Sequence, residues 1–199
     1  MITHKFDDRD SWLVARRGKI TGSRLKDIVS KRGGRKIGFY ELIAERLGVP
    51  ADDENPMDRG TRLESEAMAR YTEETGDRVD TSLVIWTRDD DESIAISPDG
   101  FKGKTKAVEA KCLASARHIE AYLTKQIPDD YEFQKLQYFI VNDKLKECDW
   151  VFYDPRLLAI PFFIIKVKRE EVQEQVDEYL EYQRNTLKEV NDIVNNLTF

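Results

Sequence analysis

The sequence predicts an α/β fold in which a central mixed β-sheet is flanked by helices. Two observations support this class. Residues 83–168 contain short runs rich in β-branched and aromatic residues, separated by segments of helical periodicity. Both flanks of that region carry apolar residues at helical spacing only. No repeat, low-complexity tract or linker divides the chain of 199 residues, so we expect one domain over residues 1–199.

Helical segments are predicted at both ends of the chain. Residues 21–31, 38–47 and 60–75 carry apolar side chains three and four positions apart. Gly76 supplies a stop for the third segment. Residues 169–197 form a long acidic amphipathic helix, which we expect to be the last element of the fold.

The middle of the chain supplies the predicted strands and the helices between them. Their apolar runs are short and bounded by turn residues, as is typical of strands. The predicted strands are 83–86, 93–97, 107–113, 150–153 and 162–168, and the predicted helices between them are 116–124 and 129–141.

Composition excludes several classes of protein. No run of about 18 apolar residues exists, so no membrane span is expected, and the N-terminus lacks the apolar core of a signal peptide. Cys112 and Cys148 are too few for a four-cysteine iron–sulfur cluster. They are most simply reduced thiols, which predicts a cytoplasmic protein.

Charge is distributed unevenly along the chain. The formal net charge is −6, yet residues 16–36 contain nine basic residues and one acidic residue, Asp27. An acidic body with one basic segment could hold a nucleic acid locally and repel it elsewhere. The alternative is a solvated basic helix face.

The chemistry of the chain is concentrated in residues 97–111. Glu109 and Lys111 are two positions apart in an apolar run, so they share one face of a strand. A hairpin after Ser97-Pro98-Asp99-Gly100 would bring Asp99 beside them. Carboxylate and carbonyl oxygens are the ligands that Mg²⁺ prefers, and the carbonyl of Ala110 lies between the two charged side chains. The pattern predicts a divalent-metal site for phosphodiester hydrolysis; the alternative is a solvated charged hairpin.

Two helices carry further candidates. Glu64, on the helix near Gly60, could reach the same metal cluster or be an ordinary exposed carboxylate. Gln134 and Gln137 share a helix face, and an amide can accept from a water while donating to a phosphate. They could equally be surface glutamines.

Arg16 and Ser23 bracket a short turn before the first predicted helix. A helix N-terminus offers free N–H groups to a phosphate, and Arg16 could add a bidentate clamp. Helix capping by Thr21 or Ser23 is the structural alternative.

Together these residues resemble the phage lambda exonuclease branch of the PD-(D/E)XK nucleases, also called the YqaJ-type viral recombinase family. The similarity covers most of the chain, and its parts occur in the family's order. They are Trp12-x-x-x-Arg16-x-Gly18-x-Ile20-Thr21-x-Ser23, Gly60-x-x-x-Glu64, Ser97-Pro98-Asp99-Gly100, Glu109-Ala110-Lys111-Cys112, Tyr131-x-x-Gln134 and Tyr153-Asp154-Pro155-Arg156.

The resemblance implies a restriction-endonuclease-like core and a set of residue roles. Asp99, Glu109 and the Ala110 carbonyl would bind Mg²⁺, for which Mn²⁺ would substitute, and Glu64 would serve a second ion. Lys111 and Gln134 would position the attacking water. Arg16 and Ser23 would bind a 5′-phosphate. Further DNA contacts are assigned to Arg17, Lys19, Arg32, Arg35 and, as an apolar wedge at the terminal base pair, Met57.

The implied activity is 5′→3′ digestion of linear double-stranded DNA, which leaves 3′ overhangs for recombination by strand annealing. The implied partners are DNA ends, two further copies in a homotrimeric ring and a single-strand annealing protein, in a bacterial cell that hosts a phage or prophage. Gln137 is one residue out of the family's second-glutamine position and receives no role. An endonuclease of the same superfamily and a catalytically silent DNA-binding scaffold remain as alternatives.

Overall fold

A computed structural model describes residues 35–50 and 55–197 together with Asp8, Asp10, Ser11 and Val14. The helix predicted over residues 21–31 lies outside these described residues. So do five residues with assigned roles, namely Arg16, Arg17, Lys19, Ser23 and Arg32.

The described elements follow the predicted order with one added strand, and the bounds of the helices and of the longer strands are close to the predicted ones. Two helices come first, and β-strands with two intervening helices follow before the long last helix. In chain order they are α1 (Ile37–Arg46), α2 (Pro56–Thr75), β1 (Trp86–Thr87), β2 (Ala95–Ile96), β3 (Gly100–Lys102), β4 (Lys106–Lys111), α3 (Ser115–Thr124), a 3₁₀ turn (Asp129–Tyr131), α4 (Glu132–Val141), β5 (Glu147–Tyr153), β6 (Phe162–Lys168) and α5 (Arg169–Leu197).

In the described part of the chain the main sheet has four strands in the order β3-β4-β5-β6, and it is mixed. The β4–β5 pair is parallel, and the two outer pairs are antiparallel. A parallel pair needs a long crossover, and here α3 and α4 provide it. Strands β1 and β2 pair with each other, as a separate two-stranded hairpin. The predicted mixed sheet flanked by helices is therefore confirmed.

Helices bury both faces of this sheet. Helices α4 and α5 cover one face, where Trp150 and Phe152 pack in the same cluster as Val172. Helix α2 covers the other face through Leu63 and Tyr71. The central strand β5 is buried almost throughout, as expected of a strand with neighbours on both edges and helices on both faces.

A buried charge network joins α2 to the sheet. The ammonium of Lys106 on β4 lies 3.0 Å from Asp149 of β5 and 2.9 Å from Asp77, which follows α2. The hydroxyl of Tyr71 donates to Asp149 at 2.7 Å. The hydrogen bonds from Lys102 and Lys106 lower the pKa of Asp77 to about 2. Each buried charge of this network therefore has a partner of opposite sign, as burial requires.

The predicted strands 83–86 and 93–97 are shorter in the structure, and the second is reduced to Ala95 and Ile96. The predicted strand 83–86 is wrong for its first three residues, and pairing is confined to Trp86 and Thr87. Leu83 is fully exposed, so apolar composition alone produced that prediction. The turn at 97–100 leads directly into β3, a strand that the sequence did not reveal. A Cβ on Gly100 would meet the terminal methyl of Met68 at 2.5 Å and a methyl of Val79 at 3.1 Å, so a larger residue there would require the flexible Met68 side chain to move.

The Lys106 network predicts that two lysine substitutions lower the free energy of unfolding by different amounts. Replacing Lys106 with Met leaves the fully buried Asp149 carboxylate uncompensated, so we expect a loss of about 3 kcal/mol in the free energy of unfolding. Lys102→Met is the matched control, because the exposed Lys102 binds the same Asp77 at 2.7 Å and should cost less than about 1 kcal/mol. Urea unfolding measures both, and equal losses would contradict the network's role.

Candidate active site

The hairpin β3–β4 brings the two central carboxylates together. In its register Gly100 pairs with Val108, so Asp99 and Glu109 stand next to this pair at the open end of the hairpin. The Ala110 amide donates to Oδ2 of Asp99 at 2.7 Å. Because the N–H and C=O of one strand residue point to the same edge, the Ala110 carbonyl also points toward Asp99.

The carboxylate of Glu109 accepts hydrogen bonds from side chains on two elements, β4 and α4. The ammonium of Lys111 and the side-chain amide of Gln134 each donate to Oε1 of Glu109 at 2.6 Å. The ammonium of Lys111 also donates to Oε1 of Gln134 at 3.0 Å. These three side chains therefore close a triangle of hydrogen bonds. The hydroxyl of Tyr138 donates to the other oxygen, Oε2 of Glu109.

Helix α4 supplies two of the donors to Glu109, because Gln134 and Tyr138 are four residues apart and share one face. The sequence analysis missed Tyr138, although the i, i+4 spacing from Gln134 was a visible signal. Gln137 lies on another face. Its amide donates to the Ala95 carbonyl at 3.2 Å and accepts from Gln183 at 2.7 Å, so it ties α4 to β2 and α5.

Asp99 is partly buried beside the carboxylate of Glu109. Burial and the neighbouring Glu109 raise its pKa to about 7, Glu64 adds to the rise, and the Ala110 amide and Lys111 oppose it. Glu64 therefore acts electrostatically on the site from α2, as it also does on Cys112. Burial and the charge of Glu109 also raise the pKa of Tyr138, so this hydroxyl remains a donor.

The donor set fits a hard divalent cation. Two carboxylates, from Asp99 and Glu109, and the Ala110 carbonyl converge on one edge of β4, and each oxygen has more than one lone pair. Burial and the neighbouring Glu109 raise the pKa of Asp99, and a bound cation would offset both effects. Among the described residues no three His, Cys, Asp or Glu side chains converge. The Ala110 carbonyl would be the third oxygen ligand beside the two carboxylates.

The remaining assigned residues are dispersed or lie outside the described part of the chain. Met57 is 81% exposed at the start of α2, where its amide donates to the Asn55 side chain at 2.9 Å. The Arg35 guanidinium lies 4.7 Å from the centre of the Phe39 ring. Because Arg16 and Ser23 are not among the described residues, the phosphate pocket stays a prediction.

The chain is similar to known proteins both in sequence and in fold. Residues 11–144 match the family profile of the YqaJ-like viral recombinase domain. The structure is similar to the crystal structure of LHK-Exo, an alkaline exonuclease from Laribacter hongkongensis, with 30% identity and a TM-score of 0.57. That match covers 96% of this chain and 100% of the other. The complex of LHK-Exo with dAMP matches over the same shares, with 29% identity and a TM-score of 0.57. No curated protein matches the sequence.

The fold and the family match indicate a nuclease of the phage exonuclease type, with a restriction-endonuclease-like core. The chain belongs to the YqaJ-like viral recombinase family. No helix in the described part of the chain is long and apolar enough to cross a membrane.

The raised pKa of Asp99 makes a prediction about stability. The folded protein retains the Asp99 proton up to a pH of about 7, whereas the unfolded chain loses it near pH 4. Folded wild-type protein therefore binds more protons in this window, and its stability falls as the pH rises through it. The pKa difference corresponds to at most about 4 kcal/mol above pH 8.

Asp99→Asn should remove this loss, so the metal-free variant should gain stability over wild type as the pH rises from 4 to 8. Denaturant unfolding in EDTA across this range measures the difference. Asp89→Asn, at an exposed position, is the control and should follow wild type. Parallel pH profiles for Asp99→Asn and wild type would contradict the assigned environment.

Proposed function

We propose that this protein is a metal-dependent 5′→3′ exonuclease that acts on linear double-stranded DNA. It would leave 3′ single-stranded overhangs for phage-type recombination by strand annealing. The observation that carries the proposal is the grouping of Asp99, Glu109, Lys111 and Gln134 at one end of the β3–β4 hairpin, in a chain of this family. The similarity to an alkaline exonuclease over 96% of the chain supports the exonuclease reading.

Asp99, Glu109 and the Ala110 carbonyl would hold Mg²⁺, and Mn²⁺ would substitute for it because it prefers the same oxygen ligands. Glu64 would serve a second ion. A bound divalent ion would lower the pKa of its water and neutralise charge on the scissile phosphate. Lys111 has three donors, of which two go to Glu109 and Gln134. The third is left to orient the attacking water, with Gln134 as its partner.

End recognition would reside in the N-terminal basic segment. Arg16 and Ser23 would bind the terminal 5′-phosphate, and Arg17, Lys19, Arg32 and Arg35 would contact the backbone phosphates. The exposed thioether side chain of Met57 suits a wedge at the terminal base pair. The dAMP complex of LHK-Exo is compatible with a site for nucleotide products in this class.

The wider assembly is proposed from family membership. A homotrimeric ring would keep the enzyme on one DNA strand, and a single-strand annealing protein would receive the 3′ overhang. The site of action would be the bacterial cytoplasm, where the two buried thiols, Cys112 and Cys148, stay reduced.

Two other functions predict different outcomes when the protein is incubated with DNA. An endonuclease of the same superfamily would cut a covalently closed plasmid, which an exonuclease leaves intact. A silent DNA-binding scaffold would bind DNA and release no nucleotides in Mg²⁺. Incubation of closed and linear plasmid side by side separates all three.

The catalytic assignment predicts that Lys111→Ala reduces digestion of linear duplex by about a thousandfold or more, because electrostatic stabilisation of the transition state is lost. Release of acid-soluble nucleotides in Mg²⁺ measures the rate. Lys166→Ala, at an exposed position on β6, is the control and should retain full activity. A Lys111→Ala protein that digests duplex normally would disprove the assignment.

The end-recognition assignment predicts faster digestion of duplexes with a 5′-phosphate than of duplexes with a 5′-hydroxyl. Arg16→Ala should abolish this preference, because the bidentate contact to the phosphate is lost. End-labelled linear duplex carrying either terminus measures the ratio and also the polarity. If Arg16→Ala slows digestion of 5′-phosphate and 5′-hydroxyl duplexes equally, this would count against a phosphate pocket. Nucleotide release from the 3′ end would contradict the polarity.

A further inference from the structure

Two aromatic rings flank the ammonium of Lys111. Its Nζ lies 4.4 Å from the centre of the Tyr131 ring and 5.4 Å from the centre of the Trp150 ring. Tyr131 ends the 3₁₀ turn before α4, and Trp150 pairs with Glu109 across the β4–β5 ladder. Three separate elements therefore meet around one positive charge. Rings within about 6 Å of an ammonium attract it through their negative faces.

These rings hold Lys111 in a different way from its polar partners. Glu109 and Gln134 each occupy one donor of the ammonium. A divalent cation at Glu109 would compete with Lys111 for the Oε1 oxygen, so the ion pair would weaken when the site is loaded. A ring occupies no directed donor, and its attraction does not depend on the charge of Glu109. The aromatic contacts would therefore persist in the loaded site.

We propose that Tyr131 is a positioning residue, whose ring, together with that of Trp150, keeps the Lys111 ammonium beside Glu109 and Gln134. The proposal rests on the catalytic role of Lys111 proposed above. Trp150 is fully buried in the core, whereas Tyr131 is only half-buried and lies at the rim of the site. Tyr131 can therefore be changed with less damage to the fold. The ring carries the effect, and the hydroxyl is not needed.

The geometry is tested first, in metal-free protein. Lysine ε-methylene groups are observed by NMR after selective ¹³C labelling, and the Lys111 signal is identified by its loss in Lys111→Arg. Ring currents should shift that signal upfield from the ordinary lysine position. Tyr131→Phe should keep the shift, and Tyr131→Leu should move the signal back toward the ordinary position. A wild-type Lys111 signal at the ordinary position, or one unmoved by Tyr131→Leu, would overturn the proposal.

Kinetics then test the consequence. Tyr131→Leu should lower kcat by about tenfold, the order of magnitude of a partly desolvated cation–π contact, with KM for DNA ends unchanged. Tyr131→Phe should restore kcat. Phe133→Leu is the matched control, since Phe133 is an exposed ring two residues away that contacts Tyr179 instead, and both readouts should stay at wild-type values.

The outcomes separate this proposal from the proposed function. Equal losses in Tyr131→Phe and Tyr131→Leu, or a loss confined to KM, would overturn the positioning role. Normal digestion by Lys111→Ala would instead remove the catalytic role on which the proposal rests, while the NMR result would still report the aromatic contact. If Tyr131→Leu does not fold, the wild-type and Tyr131→Phe spectra decide the geometry.

Discussion

The buried carboxylate of Glu109 is the constraint on which the site depends. Only 4% of Glu109 is exposed, and a buried carboxylate requires donors. Lys111 reaches it from the same strand, and Gln134 and Tyr138 reach it from α4. This arrangement requires that α4 pack on the face of β4 to which Glu109 points. The crossover through α3 and α4, which permits the parallel β4–β5 pair, also places these donors.

The sheet has a charge network on each face, and the two are built alike. On the α2 face, Asp149 is held by Lys106 and Tyr71. On the α4 face, Glu109 is held by Lys111 and Tyr138. Each network joins a strand carboxylate to a lysine of β4 and a tyrosine of the covering helix. The two networks differ in their exposure to solvent. Asp149 is fully buried, whereas Asp99, beside Glu109 at the end of the hairpin, is partly exposed.

The sequence predicted the parts of the site that follow from strand periodicity. The spacing of Glu109 and Lys111 placed both on one face, and the preceding turn placed Asp99 beside them. It predicted a shared face for Gln134 and Gln137, but an i, i+4 pair aligns better along a helix than an i, i+3 pair. Tyr138 therefore faces the site, and Gln137 does not. Periodicity also could not reveal β3 or show that Leu83 lies outside the strands of the described residues, since both depend on long-range pairing.

The two carboxylates of the site differ in the number of hydrogen-bond donors that surround them. Glu109 is surrounded by donors, whereas Asp99 has the Ala110 amide and a more distant Lys111 against burial and two acidic neighbours. The protein therefore positions Glu109 in advance and leaves Asp99 short of positive charge. A divalent cation at this edge would supply that charge and hold Asp99 ionised at neutral pH. The same imbalance explains why Lys111 needs holding contacts other than Glu109, whose charge would then be shared with the cation.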